Sequence, residues 1–87
     1  MKAVITVVGK DKCGILSNVS TACSEEKANI IEVTQSVLED MFCMIMLVDI
    51  SSSEFDKLSS KLKEVEVKQN LKIHIMHEDI FNSMHRI

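Results

Sequence analysis

The chain has 87 residues, 46% of them hydrophobic and 26% charged, with two Gly, no Pro, three Cys and a formal net charge of −3. That length fits one domain over residues 1–87 and not two, because independently folding units usually need about 50 to 250 residues. The apolar share excludes a disordered tail, no apolar run approaches the length of a membrane-spanning helix, and the acidic balance argues against a nucleic-acid surface.

Met1 runs straight into a strand-like segment without the features of a secretory signal, and the three cysteines (Cys13, Cys23, Cys43) are odd in number and scattered. A cytoplasmic chain with reduced thiols is expected. So small a domain buries a limited share of its surface, so a partner subunit is also expected.

Residues 2–8 (KAVITVV) are β-branched and apolar and stop at Gly9, which predicts a strand and a turn. From Gly14, the apolar residues Ile15, Leu16, Val19, Ala22 and Cys23 recur at helical spacing, giving a first helix that ends near Ala28. Asn29 to Leu38 reads as a half-exposed strand, with Ile31, Val33, Gln35 and Val37 on one face and Glu32, Thr34 and Ser36 on the other. Glu39 and Asp40 then turn the chain into a third strand, Met41 to Ile50.

Ser53 and Asp56 resemble a capping box, and Phe55, Leu58, Leu62 and Val65 follow at helical intervals, predicting a second helix. Leu71 to His77 alternates as a fourth strand. Residues 79–87 form a tail in which Ile80, Phe81, Met84 and Ile87 make an apolar stripe if it is helical.

The order is β-α-β-β-α-β with a short C-terminal helix, an α+β ferredoxin-like arrangement with two helices on one face of a four-stranded antiparallel sheet. Strands one and three are apolar on both faces and belong inside, while two and four belong at the edges, which gives the order 4-1-3-2. The face away from the helices must then be covered by the tail or by a second subunit.

Fold alone does not give function. The chain's two glycines bracket one hexapeptide, Gly9-Lys10-Asp11-Lys12-Cys13-Gly14, between strand one and helix one. Gly9 can supply a sharp exit from the strand. Gly14 lets backbone approach the helix start, where unpaired N–H groups and the positive dipole end favour a carboxylate. Asp11 can receive an ammonium group, and Asn29 offers a donor and an acceptor, a set suited to a zwitterion. A structural account stands beside this one: Asp11 as a helix cap, Asn29 as the servant of a left-handed turn residue, the glycines as steric necessities.

The stretch VITVVGKDKCGILSNVSTACSEEKANIIEVTQSV resembles the first half of an ACT domain, the amino-acid-sensing module of biosynthetic enzymes and their regulators. The matching pattern is a strand of small apolar residues, Gly9-x-Asp11-x-x-Gly14-Ile15, a helix, Asn29-Ile30, and Gln35 in strand two. Over its whole length the chain is similar to small stand-alone ACT proteins and to the glycine cleavage repressor group. The resemblance implies a homodimer or higher assembly that binds a small amino acid or related carboxylate at the subunit interface and regulates another protein in trans. The ligand-binding positions it carries over are Gly9, Asp11, Gly14 and Asn29, and the site expected around them also takes in Lys10, Lys12, Cys13, Ile15 and Ile30. Cys13 stands where many members carry Pro, and Gly9 where some serine-sensing members carry His. The alternative is a structural dimerisation or protein-interaction module without a metabolite.

Other functions on this topology lack their residues. Metal transfer needs paired thiolates in the first loop, which holds only Cys13. RNA recognition needs stacking aromatics, and only Phe42 lies on a central strand. Acylphosphatase-like chemistry needs an arginine in the first loop, and Arg86, the sole arginine, sits at the other end. His74 and His77, three apart on a strand, point to opposite faces and do not share a metal ion. Cys13 beside a helix start is a candidate reactive thiol. The expectation is therefore a non-enzymatic module with no metal, no cofactor, and neither nucleic acid nor membrane as partner.

Overall fold

The computed structural model of the chain describes residues 1–10 and 14–84, without the Met84 side chain. The expectations placed on Asp11, Lys12, Cys13, His85 and Ile87, and on the Met84 side chain, lie outside the described residues. The elements in chain order are β1 (Lys2–Gly9), α1 (Ile15–Glu25), β2 (Asn29–Leu38), β3 (Met41–Asp49), α2 (Phe55–Gln69), β4 (Lys72–His77) and α3 (Glu78–Met84). The four strands form one antiparallel sheet in the order β2-β3-β1-β4. This is the ferredoxin-like arrangement and strand order read from the alternation of apolar residues.

Ala3, Ile5 and Val7 of β1, with Phe42, Met44, Met46 and Val48 of β3, project from one face of the sheet. They meet Ile15, Val19, Ala22 and Cys23 of α1 and Leu58 and Leu62 of α2. The α1 residues fall at spacings of four, three and one, which gathers them on one side of the helix. Fully burying the Val, Leu, Ile, Phe and Met side chains among them contributes about 1.5–3 kcal/mol each. Across the outer surface of the helix pair, Lys61 donates to Glu25 at 2.9 Å. That hydrogen bond and the Glu25 charge raise the Lys61 pKa above its ordinary value.

Both helices end in left-handed residues that are not glycine. After α1, Lys27 takes φ 62°, Ala28 N–H reaches the Cys23 carbonyl at 2.8 Å, and Lys27 N–H reaches that of Ser24 at 3.1 Å, the double closure of a Schellman motif. After α2, Asn70 takes φ 55° and Leu71 N–H reaches the Glu66 carbonyl at 2.9 Å. Glu39, with φ 57°, gives the β2–β3 hairpin the positive φ that two-residue turns demand.

Several local expectations change. A bulge between Ile30 and Glu32 slips the register of β2, so Ile30 and Val33 pack on the core while Ile31 is turned out, 46% exposed. The capping box fails: the residue before α2 is Glu54, no side chain bonds the helix start among the described residues, and the Ser53 hydroxyl is buried without a partner. Helix α1 stops at Glu25, short of Ala28, and α3 begins one residue earlier than the predicted tail.

The tail is helical and lies against β1 and β4 on the face opposite α1 and α2. It leaves Val4 only 4% exposed and Phe81 half-buried, whereas Ile45, further across the same face, remains 44% exposed. His74 pairs with Thr6 on that outer face, and His77 stacks on Phe55 of α2 at 4.6 Å on the helix side, so the two histidines diverge as their spacing requires.

Candidate functional site

Gly9 and Gly14 do different work at the two ends of the glycine-bracketed corner. Gly9 is the last residue of β1 and is buried, with no positive φ; a Cβ built on it would collide with the Leu71 side chain. Close packing, rather than a sharp exit from the strand, is what excludes a side chain there. Gly14 is exposed with φ 76°, a left-handed conformation that costs other residues about 1 kcal/mol or more.

Gly14 also precedes α1 directly. Its carbonyl accepts the first helical bond, from Asn18 N–H at 2.9 Å, and among the described residues no side chain caps the helix and no acidic residue stands in its first turn. The opening amides of α1 and the positive end of its dipole thus face a corner without a compensating carboxylate among those residues. Ile15 is fully buried in the core, so it can offer only its backbone amide. Lys10 is exposed beside the corner. Asn18, which sequence reading left on the solvent face, places its side-chain nitrogen 3.7 Å from where a Gly14 Cβ would stand.

Asn29 lies elsewhere. It pairs with Asp49 at one end of β3, while Gly9 pairs with Phe42 at the other. Seven residues at about 3.4 Å each separate those partners by about 24 Å. Because β1 and β2 are both antiparallel to β3, the end of one and the start of the other cannot meet within a chain.

The surroundings of Asn29 are polar. An open hollow of about 430 Å³ beside it is lined by Ser20, Ser24, Lys27, Ala28, Asn29 and Ile30. Ser20 already donates to the Leu16 carbonyl at 2.7 Å, and Lys27, Ser24 and Asn29 are the other lining residues whose side chains carry donors. Ser20 and Ser24 sit four apart at the closing end of α1, a spacing that could have pointed to this cluster; nothing in the sequence singled out Lys27. Next to it, the Ser51 hydroxyl and amide donate to Asp49 at 2.6 and 2.9 Å, and these bonds hold the Asp49 pKa below its ordinary value. Ile30 packs half-buried on the core.

The remaining thiols differ in exposure. Cys23 is buried in the core, and desolvation pushes its pKa up to about 11. Cys43 is half-buried on the outer face. Among the described residues no group of three or more His, Cys, Asp or Glu could hold a metal ion, and no helix is long and apolar enough to cross a membrane.

A family model for the ACT domain matches residues 2–76. The chain belongs to the ACT domain family. A UPF0237 protein of Clostridium perfringens is 53% identical over 89 residues, with all of both chains covered. Among solved structures, an ACT domain protein from Streptococcus pneumoniae superposes with a TM-score of 0.81 at 39% identity over 93% of each chain. A structure assigned as a glycine cleavage system transcriptional repressor shares the fold, with a TM-score of 0.75 at 24% identity, over 86% of this chain and 44% of that one. ACT domains are regulatory modules that bind small ligands and typically associate in pairs, and membership here fits a regulatory rather than a catalytic role.

Proposed function

We propose that this ACT domain is a sensor that binds a small amino acid or related carboxylate between two copies of the chain and regulates another protein in trans. The observation that carries this reading is the start of α1, where Gly14 in a left-handed conformation presents helix amides with no side-chain cap among the described residues. Free amides at the positive end of a helix are a natural seat for a carboxylate. Asp11 is assigned to the ligand's ammonium group. Gly9, Lys10, Lys12 and Cys13 are assigned to the same site, and Ile15 contributes its amide.

The 24 Å or so between that corner and Asn29 makes a one-chain site untenable, so the reading requires a second copy. An antiparallel two-fold arrangement along β2 supports it, because it carries Asn29 and Ile30 of one copy toward the end of the sheet at which the partner's corner lies. The hollow beside Asn29 supplies further donors from Lys27 and Ser24. A ligand held this way shifts the assembly only by its differential affinity for the arrangements available.

The test is a thermal-shift screen of the twenty amino acids at millimolar concentration. A ligand present at about ten times its Kd adds about 1.4 kcal/mol, which in a domain of this size raises Tm by about 6–11 °C. Asp11→Ala should abolish that response while changing the stability of the free protein by no more than about 0.5 kcal/mol, since Gly14 and not Asp11 is the residue at the helix start. A flat response to all twenty would refute amino-acid sensing, and a flat response to a matching set of small carboxylates as well would leave a dimerisation module without a metabolite.

A further inference from the structure

The sheet has two edges, β2 and β4, and on each every second residue turns its N–H and C=O away from the single neighbouring strand. On the β4 side the first two of these outward amides are taken, both by one residue of α2. Leu71, leading into β4, donates its N–H to the main-chain carbonyl of Glu66 at 2.9 Å. Ile73 donates its N–H to the Glu66 carboxylate, at Oε2, at 2.7 Å in a partly buried position.

The carboxylate therefore stands where the carbonyl of a fifth strand would stand, and as a charged acceptor it makes a stronger bond than that carbonyl could. The next outward amide is that of Ile75. Two residues later the chain reaches His77, the last of a six-residue strand, and turns into α3. Lys72 and His74 occupy the same short strand, and lysine is a common guard of open edges.

The β2 edge carries few of these protections. It runs for ten residues, has Glu32 as its only charged member, and exposes Ile31, Val37 and Leu38. In an antiparallel two-fold pairing Glu32 faces itself only when the axis passes through residue 32, so other registers put no like charges opposite each other. Its bulge lies between Ile30 and Glu32, leaving the run from Val33 to Leu38 regular.

We infer that Glu66 closes the β4 edge to strand addition, so that growth of the sheet by a second copy of this chain is confined to β2. The inference concerns assembly alone and stands whether or not a metabolite binds. Glu66 acts by occupying an amide, not by touching a partner. Without it, a chain able to pair through both edges would assemble beyond a pair, since β2 and β4 lie on opposite sides of the sheet and each pairing leaves another edge open.

The experiment combines amide exchange of Ile73 and Ile75 with mass measured by light scattering over a concentration series. In the wild-type chain Ile73 should be protected although it lies on an edge strand. In Glu66→Ala the protection at Ile73 should fall about tenfold or more in dilute solution. At higher concentration the mass of this variant should exceed that of the wild type, and the Ile75 amide should gain protection. Alanine is the best helix former and Glu66 lies outside the buried core, so the variant keeps the fold. Glu66→Gln retains a carbonyl acceptor and should keep wild-type protection and mass. An unprotected Ile73 in the wild type, a Glu66→Ala variant of wild-type mass at every concentration, or a larger assembly in which Ile75 gains no protection would each overturn the inference.

Discussion

Replacing Gly9 by Ala tests whether this glycine is there for packing. The added methyl collides with the distal end of Leu71, whose Cγ and Cα would stand 3.6 and 4.0 Å from it, and Leu71 is itself 5% exposed with little room to rotate. Overpacking of this kind costs about 1–3 kcal/mol. Against it stands a gain of about 0.5–1 kcal/mol, because alanine gives up less backbone freedom than glycine in a strand. The net expectation is a loss of up to about 2.5 kcal/mol, centred near 1 kcal/mol.

Leu71→Ala removes the obstructing atoms at a cost of about 2–5 kcal/mol for its own cavity. In that background only the backbone gain remains, so Gly9→Ala should change sign and stabilise by about 0.5–1 kcal/mol. Urea unfolding of the four proteins, read at constant m, gives the coupling directly. An equal penalty for Gly9→Ala in both backgrounds would refute the packing argument and return Gly9 to a role in the corner itself.

Lys27→Gly should stabilise the chain by about 0.5–1 kcal/mol in thermal or urea unfolding, because φ 62° strains lysine and not glycine. The same change removes an ammonium from the hollow beside Asn29, so any ligand response should weaken while stability rises. Cys23 titrates near 11 when folded against an ordinary 9.0, so the unfolded chain ionises first as pH rises. Its contribution is complete below pH 9 and is lost as pH climbs toward 11, a loss that Cys23→Ala should eliminate in unfolding curves across that range. With iodoacetamide at pH 8, mass analysis of the described thiols should show Cys43 modified well before Cys23.

Strand and helix order was legible because each element keeps its period: the heavily apolar β1 and β3 could only be interior, and Val19, Ala22 and Cys23 could only share a helix face. What escaped depends on single residues working against their type. Lys27, Glu39 and Asn70 adopt left-handed backbone that a reader would assign to glycine, and they do so because Schellman bonds or hairpin closure offset the strain. The bulge at Ile31 is invisible because Ile30 and Ile31 are adjacent identical residues, and either could take the inward position. Ser53 carried the local signature of a cap, yet the chain enters α2 one residue later. Of the candidate site, the corner could be found from its glycines. Of the polar company of Asn29, the Ser20 and Ser24 spacing left a trace and Lys27 left none, because its place beside the hollow depends on the left-handed turn that ends α1.

The distance between Gly9 and Asn29 also bears on how such a sensor responds to its own abundance. Any molecule that bridges the two halves of the site draws chains together in pairs, so its apparent affinity rises with protein concentration, and scarce protein stays deaf at ligand levels that saturate abundant protein. Expression level then acts as a second input, multiplied with the metabolite's, and a tandem fusion of two copies should make the response independent of dilution.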